Sequence, residues 1–175
     1  MNKHLHNSLR ALFLSLAVFL SLPMLAVEVE IDGIKYDLNA EAKQAAVIKK
    51  SSGAYYSGSI VIPESVVYEG NAYSVASIGV EAFWNRSALT SVTIPNSVTS
   101  IGDAAFYYCK GMNSVTIGNS VTSIGSSAFE GCSGLKSVNI PNSVTRIGGY
   151  AFRNCSRLTS VHISDIAARF RLVYG

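Results

Sequence analysis

From residue 89 to residue 163 the apolar positions return every 23 residues, a period far longer than that of a single helix or strand. Leu89, Val92 and Ile94 head one unit; Met112, Val115, Ile117, then Leu135, Val138, Ile140, then Leu158, Val161, Ile163 head the next three. Within each set the last two alternate with a polar residue, as in a short strand with one buried face. A second apolar pair, Val98 and Ile101, recurs as Val121 and Ile124, as Val144 and Ile147, and earlier as Val75 and Ile78. An Ala-Phe pair then places Phe83, Phe106, Phe129 and Phe152 at one ring per unit, each on a predicted short helical or 3₁₀ turn. Residues 89–111 match residues 112–134 at 15 of 23 positions and residues 135–157 at 14 of 23. Each unit is therefore one coil of a stack. The predicted fold is a β-rich repeat solenoid with the four phenylalanines as an aromatic spine.

The remaining repeated residues fit the corners of such a coil. Pro95 and Pro141, replaced by Gly118 in the middle unit, stop the strand because proline has no N–H for a ladder. Gly79, Gly102, Gly125 and Gly148 mark places that need either a positive φ or close approach of two backbones. One coil has almost no interior, so its apolar side chains are covered only by the coils above and below. At roughly 4.8 Å between strands, five coils make a rod about 24 Å long.

Toward the N-terminus the frame loosens. Ile60-Val61-Ile62-Pro63 reads as a strand and its corner, followed by an insert with a hairpin turn at Glu69-Gly70-Asn71. Val27, Val29 and Ile31 alternate up to Asp32-Gly33, and Ile34, Tyr36 and Leu38 alternate after it, a second hairpin signal. The expected organisation is a signal peptide at 1–26, an N-terminal β-hairpin cap at 27–59 and a solenoid at 60–163. The solenoid divides into an irregular first coil at 60–88, coils at 89–111, 112–134 and 135–157, and a partial coil at 158–163. Residues 164–175 read as a tail or truncated cap, in which Phe170, Leu172 and Val173 could fold over the last coil.

Composition bears mainly on the compartment. Lys3 and Arg10 precede an apolar stretch from Ala11 to Leu22, and Ala26 is a plausible cleavage point, the layout of a secretory signal. The stretch is short for a membrane span, and an uncleaved anchor is the alternative. Removing Lys3 and Arg10 leaves 12 basic against 11 acidic residues, a net charge of +1. With no basic cluster beyond Lys49-Lys50, the electrostatic footprint of a nucleic-acid binder is missing, and no membrane span is expected after cleavage.

The chain offers no catalytic, metal or cofactor-binding constellation, and no enzyme is expected. Cys109, Cys132 and Cys155 are 23 residues apart, so they form one column of parallel side chains. A tetrahedral metal site needs ligands that converge from short local spacings, and parallel thiols of odd number do not pair into disulfides. They read as buried small hydrophobes. His162 stands on the outward strand column with Thr93, Thr116 and Asn139, without a nucleophile in a recognisable setting. Glu81, Asp103, Glu130 and Asp165 are scattered over different coils, and the glycines form no phosphate-cradling run.

The pattern Leu-x-x-Val-x-Ile-Pro-x-x-Val-x-x-Ile-Gly-x-x-Ala-Phe-x-x-Cys, over about Ile60 to Ile163, resembles the BspA-type bacterial leucine-rich repeat, known also from the Treponema repeat proteins. Ile31-Asp-Gly-Ile-Lys-Tyr through Ile62-Pro-Glu is similar to the start of many such proteins in Bacteroides and its relatives. Compared with the general leucine-rich repeat, Asn96, Asn119 and Asn142 come one position early, which puts an asparagine ladder in doubt. The resemblance implies a leucine-rich-repeat-like stack in a secreted or cell-surface protein that binds host proteins or other cells.

Function then falls to the columns that vary. After each spine phenylalanine come Trp84, Tyr107, Glu130 and Arg153, and next Asn85, Tyr108, Gly131 and Asn154. Trp84, Tyr107, Tyr108 and Arg153 form one candidate binding surface, since exposed aromatic and arginine side chains anchor interfaces. The alternative is that the rings pack over the adjacent coil. Thr93, Thr116, Asn139 and His162 form the other candidate face, flat and polar, for which plain solubility is the alternative. Five strands of about five residues cover roughly 400 Å², half of the about 800 Å² per partner of a standard interface. The expected function is adhesion-type binding of a protein partner on host or neighbouring cells, weak or multivalent. The alternatives are glycan binding through the aromatic residues, or a structural piece of a longer array.

Overall fold

The computed structural model describes residues 26–51 and 55–163. Val27–Ile31 (β1) and Ile34–Asn39 (β2) pair antiparallel, from Val27 opposite Leu38 to Ile31 opposite Ile34. Asp32 and Gly33 between them have φ of 49° and 77°, the two positive values a tight I′-type hairpin turn requires. Gln44–Val47 (β3) runs antiparallel to β2. Gly58–Val61 (β4) follows, and then the hairpin of Ser65–Tyr68 (β5) and Asn71–Ile78 (β6), which turns at Glu69 and Gly70 with φ of 49° and 74°. Both predicted hairpins are present. The coils then contribute Leu89–Thr93 (β7), Ser100–Ile101 (β8), Ser114–Thr116 (β9), Ser123–Ile124 (β10), Ser137–Ile140 (β11), Arg146–Ile147 (β12) and Ser160–Ile163 (β13).

These strands build two parallel walls. In the first, β6, β8, β10 and β12 stack in order, and β3 joins β6 in parallel, so the antiparallel β1–β2–β3 cap continues the stack through backbone hydrogen bonds. In the second, β4, β7 and β9 form one ladder and β11 with β13 another, with β9 and β11 side by side. Registers step by one repeat: Ser91 lies opposite Ser114 and Ser137 opposite Ser160. Like residues stack on like.

The third side is made of turns. Ala82 N–H bonds the Gly79 carbonyl at 3.3 Å, and Trp84 N–H bonds the Glu81 carbonyl at 2.9 Å. This is the three-residue spacing of a 3₁₀ turn, but among the described residues no such turn continues into a helix. Residues of positive φ, among them Glu81 (55°), Asn85 (56°), Ala104 (51°) and Tyr108 (56°), interrupt it. Each turn instead bonds the next coil: Phe83 N–H to the Ala105 carbonyl at 2.7 Å, Phe106 to Ala128 at 2.7 Å and Phe129 to Ala151 at 2.8 Å. The predicted short turns are thus held between coils.

The core runs unbroken from the cap to the last described coil. Phe83, Phe106, Phe129 and Phe152 stack with centroids 4.9, 5.0 and 5.2 Å apart and ring planes within 7°, close to the strand spacing. The first three are fully buried, and Phe152 is half-buried at the end of the described stack. Tyr56, not singled out in the sequence, closes the spine at the cap, with its ring 4.5 Å from Phe83. Its hydroxyl donates to the Ile48 carbonyl at 2.9 Å and accepts from Lys35 N–H at 3.0 Å. The repeated glycines answer to close approach: a Cβ on Gly125 would stand 2.5 Å from Asp103 N and 2.6 Å from the Gly102 carbonyl carbon. Of the asparagines, Asn96 Oδ1 accepts from Asn119 N–H at 2.8 Å.

Residues 1–25, within the expected signal peptide at 1–26, and the expected tail 164–175 lie outside the described residues. No helix of the described residues is long and apolar enough to cross a membrane.

Candidate functional site

The residues after the spine phenylalanines form a physical row because the turn wall is hydrogen-bonded coil to coil. Asn85 N–H bonds the Tyr107 carbonyl at 2.7 Å, Tyr108 N–H the Glu130 carbonyl at 2.7 Å, and Gly131 N–H the Arg153 carbonyl at 2.8 Å. Trp84, Tyr107, Glu130 and Arg153 therefore succeed one another along the stack. Trp84 is 36% exposed, and the Lys49 ammonium sits 4.5 Å from its ring centroid while bonding Glu81 at 2.8 Å. The half-buried rings of Tyr107 and Tyr108 meet at 4.5 Å, tilted by 33°. Tyr108 also lies over Gly131, where a Cβ would fall 2.6 Å from its Cδ2. The glycine makes room for the ring.

Cations line this ledge beside the aromatics. Lys110 lies 5.3 Å from the Tyr108 ring, Arg153 5.0 Å from exposed Tyr150, and Arg86 4.1 Å from Tyr55. Such pairs fix long side chains on a surface. Glu130, read from the sequence as part of the variable row, is buried: its carboxylate accepts from the Ser127 hydroxyl at 2.7 Å, with Arg153 Nε 4.0 Å away. Desolvation, then Tyr108 and the Glu130 carboxylate, hold the Tyr107 phenol above its ordinary pKa. Lys49, Lys110 and Tyr150 carry no repeat signal, and only the stack brings them to the ledge.

Thr93, Thr116, Asn139 and His162 are all exposed on the second strand wall. Thr93 lies opposite Thr116 and Asn139 opposite His162, and Val61 heads the same row opposite Thr93. The two candidate sets are each brought together but occupy different sides of the coil, so they make two faces and not one site.

The cysteines serve the interior. Cys109, Cys132 and Cys155 donate their S–H to the carbonyls of Phe83, Phe106 and Phe129 at 3.0, 3.1 and 3.1 Å. They satisfy turn carbonyls of the preceding coil. Burial pushes the Cys109 thiol up from 9.0 to about 12 and is also the first cause of the rise at Cys132, so both stay protonated and poorly nucleophilic. Among the described residues no group of three or more His, Cys, Asp or Glu side chains is placed to hold a metal ion.

A family of bacterial repeats described as the BspA type leucine rich repeat region matches residues 73–170 in six copies. The matched range begins inside β6 and runs past Ile163. A leucine-rich repeat protein from Bacteroides capillosus is 28% identical, with a TM-score of 0.64 over 79% of this chain and 99% of that one. One from Bacteroides ovatus is 31% identical, with a TM-score of 0.56 over 77% of this chain and 40% of its own. A leucine rich cell surface protein from Faecalibacterium prausnitzii shares the fold at 23% identity, with a TM-score of 0.52 over 80% of this chain and 55% of its own. No curated protein matches the sequence.

Proposed function

The chain belongs to the BspA type leucine-rich repeat family, and we propose that it is a non-enzymatic, secreted or cell-surface module that binds proteins of host or neighbouring cells. The observation that carries this reading is the division of labour within each coil. The repeated residues serve the interior, as spine, thiol ladder and close-packed glycines. Trp84, Tyr107, Tyr108 and Arg153 stand where the repeat varies, on a ledge held rigid from both neighbouring coils. Large aromatics and arginine fixed on a rigid support lose little entropy on binding. The signal-like residues 1–26 and the surface location named for the Faecalibacterium prausnitzii protein support work outside the cell. With one face of about 400 Å² against the about 800 Å² of a standard partner surface, single-site affinity is low and multivalent display raises it.

The test is saturable binding of the purified chain to an array of extracellular-matrix and mucosal proteins. Trp84→Ala and Tyr107→Ala are expected to weaken a positive partner at least about tenfold while melting stays near that of the unaltered chain. A folded sample with no saturable binding on the array defeats the reading. A glycan partner is the second reading, favoured by the Tyr107–Tyr108 pair beside Trp84, and glycan-array binding lost on Trp84→Ala would establish it.

A further inference from the structure

The N-terminal cap closes only one of the two walls. β3, β2 and β1 extend the first wall beyond β6, whereas the second wall begins at β4, whose one ladder among the described residues is with β7. Gly58 N–H bonds the Ala88 carbonyl at 2.8 Å and Ile62 N–H bonds the Thr93 carbonyl at 3.0 Å. Peptide groups along a strand alternate in direction, so Ser59 and Val61 turn their N–H and C=O away from β7. A sheet edge of this kind is a template for another strand.

The free edge faces a groove of ≈ 380 Å³ whose far bank is the β1–β2 turn, with Glu30, Asp32 and Gly33, and which Lys50 and Tyr56 also line. The bank is firmly held. Lys50, 4% exposed, bonds Glu30 at 2.6 Å and the Gly33 carbonyl at 3.3 Å, and the Tyr56 hydroxyl ties Ile48 to Lys35. Lys50 is thereby matched by Glu30, and exposed Asp32 enters no ion pair among the described residues. On the outer surface Val61 is 69% exposed, a large aliphatic in water at the head of the wall.

We infer that this edge is a strand-addition site, at which an extended segment of a protein partner pairs with β4 and places a lysine or arginine against Asp32. The inference rests on the protein-binding reading above and gives it a mode of recognition. An extended polypeptide is the ligand that presents alternating donors and acceptors at about 3.3 Å per residue. Its apolar side chains, on alternate positions, cover Val61, and its cation meets Asp32, the groove carboxylate that enters no ion pair among the described residues.

Linear seven-residue peptides from a random display library, selected on the full chain and then measured by fluorescence anisotropy, test it. The selected peptides are expected to alternate apolar with other residues and to carry Lys or Arg. Val61→Pro removes an outward N–H at a position where a strand tolerates proline, and should weaken them at least tenfold; Asp32→Lys should weaken the cationic ones severalfold. Peptides N-methylated at alternate amides should lose binding to the unaltered protein, which keeps the test valid if Val61→Pro lowers the melting temperature. Failure to select any saturable peptide, or peptides indifferent to both Val61→Pro and N-methylation, overturns strand addition. If an array protein still binds the Val61→Pro chain with unchanged affinity, strand addition fails for that partner while the protein-binding reading stands. Peptides that bind at β4 when no array protein binds uphold strand addition and defeat the choice of matrix and mucosal partners.

Discussion

Phe129 lies between two parallel rings at 5.0 and 5.2 Å and is fully buried, so its removal leaves a cavity with coils fixed on both sides. Phe129→Ala should cost about 3 to 5 kcal/mol in urea unfolding. Phe152→Ala, at a half-buried ring with one described stacking partner, should cost distinctly less. Equal losses would mean that the rings do not depend on stacking. The thiol column makes a separate prediction. Cys109 and Cys132 are buried and Cys155 is half-buried, and burial raises all three pKa values. Iodoacetamide at mildly alkaline pH should therefore label Cys155 first and leave Cys109 and Cys132 unlabelled until urea opens the fold, as mass spectrometry would read. The loss of one weak S–H···O bond and its packing in Cys132→Ala should cost about 1 to 2 kcal/mol.

Between elements, glycine does two physically different jobs, and one substitution series separates them. Gly70 has φ of 74° and open space where a Cβ would go, whereas Gly125 has an ordinary φ and would drive a Cβ into the backbone of the coil before it. Alanine at Gly70 incurs the left-handed penalty of about 1 to 2 kcal/mol, and asparagine, which tolerates that conformation, should recover much of it. At Gly125 asparagine should be worse than alanine, because the obstacle is backbone and overpacking of this kind costs about 3 kcal/mol. Thermal melts of the four variants decide this; recovery by Gly125→Asn would contradict the close approach. The hairpin turn at Asp32-Gly33 was legible because alternation on both sides and turn-forming residues point the same way, and that at Glu69-Gly70 because turn-forming residues fall in an insert that breaks the repeat frame. The left-handed Glu81, Ala104, Tyr108 and Tyr150 were not, since nothing in those residue types asks for positive φ. Backbone bonds to the next coil hold Glu81, Ala104 and Tyr108 there, an effect local sequence does not encode. The same limit applies to the ledge: the row Trp84, Tyr107, Arg153 follows from the period, but the cations Lys49 and Lys110 and the burial of Glu130 depend on which coil supplies the neighbour. The open edge of β4 was invisible for a related reason, because strand pairing of the cap to one wall only is decided by where β3 lands.

At the scale of the whole molecule, the cap and the coils share one core, so titration at one end should report on the other. Burial raises the Tyr56 phenol from 10.0 to about 12 and Cys109 from 9.0 to about 12, and lifts Tyr36 and Cys132 in the same direction. In the unfolded chain these groups ionise near their ordinary values, while the folded state keeps the protons. Above pH about 9 the native state thus binds more protons than the unfolded one, and stability must fall as pH rises. These groups contribute their full stabilisation below about pH 8 and lose it progressively between about 9 and 12. Tyr36 and Tyr56 sit in the cap and the thiols along the spine, yet the spine begins at Tyr56, 4.5 Å from Phe83. A single cooperative alkaline transition is therefore expected, in which tyrosinate absorbance, thiol labelling and the far-ultraviolet circular dichroism of the strands change together. If the tyrosines ionise in a separate step while the thiols remain protected, the cap unfolds by itself. The solenoid would then be a nearest-neighbour array whose end coil stands without it.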